Sequence, residues 1–269
     1  MKKLLYFIAI GISVLTACEK GELVENTPYE KIAAGDAKYS YIKILNLTTG
    51  SPVANYYMDG TKFSASLSST GIESTGYTYN NLFPDFGYAV TTPGSHKLTA
   101  KVVPAAAADA NLEILNTTIN PAAGNYYSMF TTGQYTSTSK IIPSVLTLED
   151  VRPALDTSKI FIRLVNLANG GPNLDLVKGA TIATGTKLIS NITYGSASSG
   201  WVEIPNPGSG TAPASSLWFV NSATGAPVLT TAFTSALTKG RAYTIYSRGI
   251  FGSTTTATLY TITFYTTFF

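Results

Sequence analysis

The sequence is poor in the residues on which most enzyme and metal chemistry is built. Cys18 is the only cysteine, so the chain carries no internal disulfide and no thiolate metal site. His96 is the only histidine, and zinc and copper sites ordinarily use several His or Cys ligands. Charged residues make up only 12% of the chain. Without Lys2 and Lys3, 16 basic residues face 15 acidic ones, so there is no basic excess with which to neutralise phosphates, and nucleic acid is excluded as a partner. Past residue 14 no apolar run is long enough for a membrane helix. The 3.6-residue periodicity of amphipathic helices is scarce as well.

What is present points to strands. Tyr (17 residues) and abundant Thr favour extended backbone, while 23 Gly and 13 Pro punctuate it with turns. The N-terminus stands apart. Met1, Lys2 and Lys3 form a positive start, residues 4–14 are almost wholly apolar, and Leu15, Thr16, Ala17 and Cys18 follow. The apolar stretch is too short to span a bilayer and has the flanks of a signal peptide. Its last four residues resemble the bacterial lipobox. That resemblance implies lipidation of Cys18 and cleavage before it, with several acyl chains giving a stable anchor. Residues 19–38, with Glu19, Glu22, Glu25 and Glu30 among Gly, Asn and Pro, read as a tether. They are either a plain solvated linker or a loose export signal to the outer surface.

An internal echo follows. Tyr41, Ile42, Lys43, Ile44, Leu45, Asn46 and Leu47 recur as Phe161, Ile162, Arg163, Leu164, Val165, Asn166 and Leu167, at an offset of 120 residues. Pro52 answers to Pro172, Gly60 to Gly179, Tyr79 to Tyr194, Gly87-Tyr88 to Gly200-Trp201, Pro93-Gly94 to Pro207-Gly208, and Tyr127 to Tyr243. A period this long means two tandem domains rather than a solenoid. Strands are expected at 54–58, 76–79, 87–91, 96–103, 112–119 and 126–131, and again at 174–178, 188–192, 200–204, 216–220, 228–234 and 242–247. The fold class is therefore all-β, two tandem immunoglobulin-like sandwiches after a signal peptide and tether. The expected bounds are 1–17 signal peptide, 18–38 lipidated tether, 39–152 first sandwich and 157–269 second. The charges at Glu149, Asp150 and Arg152, with Pro153, read as an exposed linker between them.

Residues 163–166, Pro172, 175–179, Tyr194-Gly195, Gly200-Trp201 and Pro207-Gly208 together resemble the bacterial domain-of-unknown-function family numbered 4397. The first unit has Tyr79-Asn80 where Tyr-Gly is expected, and longer connections. The resemblance implies an extracytoplasmic sandwich, often in tandem, and brings no established activity or active site.

No catalytic constellation emerges. Ser95 and His96, adjacent in a strand, point to opposite faces and do not form a relay. Asp59 and Asp85 read as turn residues, and Gly208-Ser209-Gly210 lacks the Lys-Ser/Thr and helix of a phosphate loop. The expectation is thus no enzyme, no cofactor and no metal. Aromatic residues remain as a candidate binding surface: Tyr56, Tyr57, Tyr88 and Trp201, of which the adjacent pair must put one ring on each face of its strand. The strongly β-forming run 256–269 admits a competing reading as a strand of an outer-membrane barrel, although Phe269 falls on the less apolar face.

The expectation is a non-enzymatic protein held at the outer membrane by its N-terminal lipid, facing the periplasm or the cell surface. It would present a binding or adhesive surface to a glycan or a protein, or serve as a structural accessory subunit of a larger assembly. A clustered exposed Tyr/Trp patch would favour the first, and an uncovered edge strand or groove the second. Cys18→Ala is expected to abolish acylation, read by mass spectrometry, and to move the protein from the detergent fraction to the aqueous one. Retention in the membrane would contradict the lipid anchor.

Overall fold

The computed structural model describes residues 30–66, 70–205, 216–233 and 237–269. Cys18, the segment 1–17, residues 18–29 of the tether, Pro207-Gly208 and Gly208-Ser209-Gly210 lie outside the described residues. Gly35–Phe269 forms one compact unit, distinct from Met1–Ala34. Among its described residues there is no α-helix, only strands and a single 3-10 turn at Thr256–Thr258.

The first sandwich comprises β1 (Ser40–Asn46), β2 (Ala54–Met58), β3 (Thr61–Lys62), β4 (Leu82–Phe83), β5 (Ala89–Thr91), β6 (His96–Val102), β7 (Glu113–Ile119), β8 (Tyr126–Thr132) and β9 (Ser144–Glu149). The second comprises β10 (Lys159–Asn166), β11 (Leu174–Lys178), β12 (Thr186–Ile192), β13 (Ser196–Ala197), β14 (Val202–Pro205), β15 (Leu217–Asn221), β16 (Ala242–Arg248) and β17 (Thr261–Phe268). In the first, a sheet ordered β4-β1-β8-β9, with β5 also on β1, packs on a sheet ordered β3-β2-β6-β7. In the second, β13-β10-β16-β17, with β14 also on β10, packs on β12-β11-β15. In both, the opening strand lies parallel to a late one, β1 to β8 and β10 to β16.

Three segments depart from the sequence expectation. Residues 76–79 form only a bridge, Ala54 to Tyr77, and the described part of 228–234, residues 228–233, contributes only the bridging residue Phe233, opposite Leu217. The supposed linker begins inside a strand, since β9 pairs along β8 from Thr132↔Ser144 to Tyr127↔Glu149. Asp150 is buried rather than solvated, because a cation from the other sandwich meets it. The run at the C-terminus is likewise the edge strand β17 of the second sandwich, paired antiparallel to β16.

The two opening strands dictate the architecture. All seven residues of β1 are buried, and seven of the eight in β10. Side chains alternate across a strand. Ile42 and Ile44 therefore enter their own core with Tyr56, Leu98, Ile114 and Met129. Leu45, from the opposite face, joins Leu47 and Phe130 against Val165, Leu167 and Tyr246 of the second sandwich. The four sheets thus stack in four layers, and the two central ones are covered on both faces.

Corresponding residues do corresponding work. The amide of Asn46 donates to Tyr77 O at 3.4 Å and its oxygen accepts from Thr131 Oγ1 at 3.0 Å. Asn166 donates to Ile192 O at 2.9 Å and accepts from Ser247 Oγ at 2.8 Å. Each Asn thereby ties its opening strand to the late strand beside it and to the connection crossing to the other sheet. Asn80 has φ 68° and Gly195 φ 75°, and each donates its N–H to the carbonyl of that Asn. Asn is the side chain that best tolerates this left-handed backbone, which explains the departure from Tyr-Gly.

The hydroxyls of Tyr127 and Tyr243 accept backbone N–H groups five residues upstream, from Ala122 at 3.1 Å and Thr238 at 2.8 Å. Both rings pack on their cores. Tyr243→Phe is expected to cost about 1 kcal/mol, one net hydrogen bond. Tyr243→Ala is expected to cost roughly 3–5 kcal/mol through the cavity it leaves. Urea unfolding checks both, and an unchanged midpoint for the alanine variant would contradict the buried corner.

Candidate functional site

The four aromatic candidates do not share a surface. Tyr56 is 1% exposed and lies in the first core, because its parity on β2 faces the β1 sheet; it is withdrawn as a surface residue. Tyr57, on the other face, is half-buried, with Lys101 Nζ 5.4 Å from its ring centroid. Tyr88 and Trp201 come together around Phe268, at ring separations of 6.4 and 6.3 Å, but at the seam between the sandwiches. The Trp201 indole N–H donates to Val151 O at 2.7 Å, and the Tyr88 hydroxyl to Asp150 at 2.9 Å. These two rings serve the packing of one sandwich on the other.

They surround a buried ionic cluster. Lys43 and Arg163, equivalent by the 120-residue offset, both point into the seam and are 3% and 4% exposed. Arg163 Nη2 lies 2.6 Å from Asp150, and its Nε and Nη2 donate to Thr244 Oγ1. Ser128 donates to the other Asp150 oxygen at 2.6 Å, and Tyr265 donates to Ser128 at 2.8 Å. Lys43 Nζ sits 5.0 and 5.4 Å from the rings of Tyr88 and Tyr265. Burial pushes the Lys43 ammonium down to about 8, against the pull of Asp150. Burial also opposes the Arg163 charge, and Asp150 together with the Tyr265 and Tyr88 hydroxyls more than offsets it. Tyr88 is driven well above the ordinary phenol range by burial and then by Asp150. A buried pair with its remaining polar groups satisfied fixes geometry more than it adds stability.

His96 is 9% exposed. Its Nδ1 is 2.6 Å from Asp59 and its Nε2 2.7 Å from Thr92 O. Both ring nitrogens face acceptors, which suits the imidazolium and leaves no lone pair for a base. Asp59 holds the His96 pKa above its ordinary value through this hydrogen bond. Asp59 also has φ 50° beside Gly60 at φ 85°, the two positive-φ residues of a tight hairpin between β2 and β3. The pair is a hairpin lock. Among the described residues, no three His, Cys, Asp or Glu side chains converge on a metal position.

One recess lies on the flank of the first sandwich, between β7 and β9. One part, of about 210 Å³, is lined by Ile42, Ile119, Tyr127, Met129 and Thr147, with Asn120 at its rim. A second groove, of about 360 Å³, lies between Ile114–Thr117 and Ile141–Val145. Ile141 stands 52% exposed on its wall. The second sandwich shows why the slot exists. Thr147 pairs with Met129 as Phe264 pairs with Ile245, so Thr147 and Phe264 are equivalent. The Phe264 ring packs edge-on against Phe233 at 5.9 Å and Tyr243 at 5.6 Å, closing that flank. In the first sandwich a threonine leaves the same space open. Sequence reading does not reach it because no strand is expected at 144–149; aligning β9 with β17 exposes the Thr/Phe difference.

Two pH effects follow, of opposite sign. The folded pKa of His96 lies above its ordinary 6.5, so its contribution is complete below that pH and is lost as pH rises through the folded value. The effect is small, because Asp59 is exposed and salt screens it. The folded pKa of Lys43 lies at about 8 against an ordinary 10.5, so its charge costs stability at low pH and the cost fades between those values. Urea midpoints across pH 5–10 should therefore fall first and then rise. His96→Gln should remove the fall. Lys43→Met should remove the rise and raise the midpoint at neutral pH, because the burial cost of the ammonium goes while Arg163 still pairs with Asp150. A profile unchanged by Lys43→Met would contradict its burial.

The chain matches no curated protein. Among solved structures, the CBMbc module (family CBM26) of Eubacterium rectale Amy13K, in complex with maltoheptaose, is 12% identical, covering 84% of this chain and 96% of that one. Its TM-score of 0.22 is too low to carry any argument about this chain. The family profile described as "Domain of unknown function (DUF4397)" matches residues 40–177, which run from β1 through most of β11. That match takes in just over half of the 269 residues, and the chain belongs to the DUF4397 family.

Proposed function

We propose that this chain is a non-catalytic, lipid-anchored envelope protein that docks a partner protein in the open flank of its first sandwich. On this reading the anchor is the lipid on Cys18, the site of action is the outer membrane, and both sandwiches are copies of the family's domain. The lipobox pattern of residues 15–18 supports the first two; the matching parallel registers of β1 with β8 and β10 with β16 support the third. The observation that carries the docking role is Thr147 standing where Phe264 fills the other sandwich. Because that homologous space takes an aromatic ring, the occupant is an apolar, preferably aromatic, side chain on an extended segment of another protein. Edge strands β7 and β9 border the slot, and each pairs with a strand on one side only. Such edges accept an added strand through the main chain while a pocket selects a side chain.

A glycan platform is the less supported reading. It needs aromatic faces open to solvent, and of its four candidates Tyr56 is buried, while Tyr88 and Trp201 are held in the seam.

Thr147→Phe tests the docking role. The variant should fold with unchanged or higher stability, the ring gaining up to about 1.5–3 kcal/mol if fully buried. A photoreactive benzoylphenylalanine at Asn120 of the full chain, irradiated in the native envelope, should give a discrete protein adduct that Thr147→Phe abolishes. An adduct that persists in the filled variant, no adduct at all, or a glycan adduct would overturn the reading.

A further inference from the structure

The end of the unit at which the chain enters carries an apolar surface of distinctive make-up. Gly35 O lies 3.3 Å from the Cβ position of Gly124, whose N–H donates to Tyr39 O. Tyr41 stacks on Tyr126 at 4.3 Å, and Tyr126 meets Phe268 edge-on at 6.0 Å. The entry point and the C-terminus therefore share one end. There Val151, Leu155 and Phe269 are 64%, 79% and 62% exposed. Leu155 and Phe269 line one recess with Arg152 and Phe268, and the Val151 carbonyl is fixed by Trp201. Single exposed apolar residues are ordinary on a protein surface, but a cluster of them is not.

Charge completes the pattern. The Arg152 guanidinium lies 5.1 Å from the Phe268 ring centroid and that of Arg241 5.0 Å from the Phe269 ring centroid. Among the described residues neither takes part in an ion pair. The nearby carboxylate Asp156 is engaged by Ser158 and Lys159. Apolar tips flanked by arginines without carboxylate partners suit a phospholipid surface, the tips entering the acyl boundary and the guanidiniums meeting phosphates. Chain length agrees. Gly35 is 17 residues along the chain from Cys18. Even fully extended, 17 residues reach at most about 60 Å, and it is the entry end that the anchor tethers.

We propose that this end of the protein lies on the membrane, with Val151, Leu155 and Phe269 in the interface and Arg152 and Arg241 on anionic headgroups. The proposal rests on the lipid anchor at Cys18. Because that cysteine is consumed by acylation, an introduced cysteine is unique. The full lipidated chain bearing Leu155→Cys or Phe269→Cys, labelled with nitrobenzoxadiazole, is placed in vesicles of phosphatidylethanolamine and phosphatidylglycerol. Ser137→Cys, in the exposed turn beyond the far end of β8, is the reference site. The label at 155 and at 269 should shift to shorter wavelength, brighten severalfold and be quenched by shallow spin-labelled lipid, while the label at 137 stays as in water. Flotation and the acylated mass report the anchor separately. Acylated protein that floats while the 155 and 269 labels stay water-like overturns this proposal alone, whereas absence of acyl chains overturns the anchor. A label that becomes apolar only when envelope proteins are added would assign the surface to a protein instead and also overturn the proposal.

Discussion

The structure depends on the burial of a second face on each opening strand. A sheet in a simple sandwich has one wet face. Here β1 and β10 have none, because the outer face of each is covered by the other's sheet. That covering places Lys43 and Arg163 in the seam with a single carboxylate, Asp150, between the two sandwiches. Equivalent residues meet across it: Phe130 and Tyr246 lie 6.4 Å apart, and Asn169 donates to Thr49 at 3.2 Å. The arrangement is that of an isologous dimer fused into one chain. Asp150 is its main asymmetry. Asp150 follows Glu149, the partner of Tyr127, as Thr267 follows Thr266, the partner of Tyr243, and Thr267 bonds Thr244 at 2.7 Å where Asp150 bonds Ser128 at 2.6 Å.

Much of the fold was legible in the sequence. The strands 54–58 and 174–178, the order of elements and the paired tyrosines 127 and 243 all followed from turn residues and internal similarity. What was hidden was hidden by the seam. Tyr41, Lys43 and Leu45 alternate with Ile42 and Ile44, and a face holding a lysine reads as solvated. Only a second sandwich laid on that face buries it. The same ambiguity misplaced Tyr88 and Trp201, whose rings are amphipathic enough to suit either solvent or a polar seam. It also put the end of β9 and the following Asp150 into a linker, because Glu, Asp, Arg and Pro in succession signal exposure unless a partner charge is known to lie opposite.

The two sandwiches differ through small departures from internal symmetry. The second closes its flank with Phe233 and Phe264, and the first leaves Thr147 beside an open slot. A threonine in place of one ring is enough to turn a structural position into a candidate binding position without disturbing the core. His96 and Asp59 show the converse: residues with catalytic chemistry committed to a hairpin, with both imidazole nitrogens already occupied.

The claim that the two sandwiches share a buried seam is tested most directly by a double-mutant cycle between Asp150→Asn and Arg163→Met, residues contributed by different sandwiches. Urea unfolding of the two single variants and the double variant should give a coupling energy of roughly 1–3 kcal/mol, as for contacting buried partners. Effects additive to within about 0.5 kcal/mol would mean that the two side chains do not meet, and would contradict the seam.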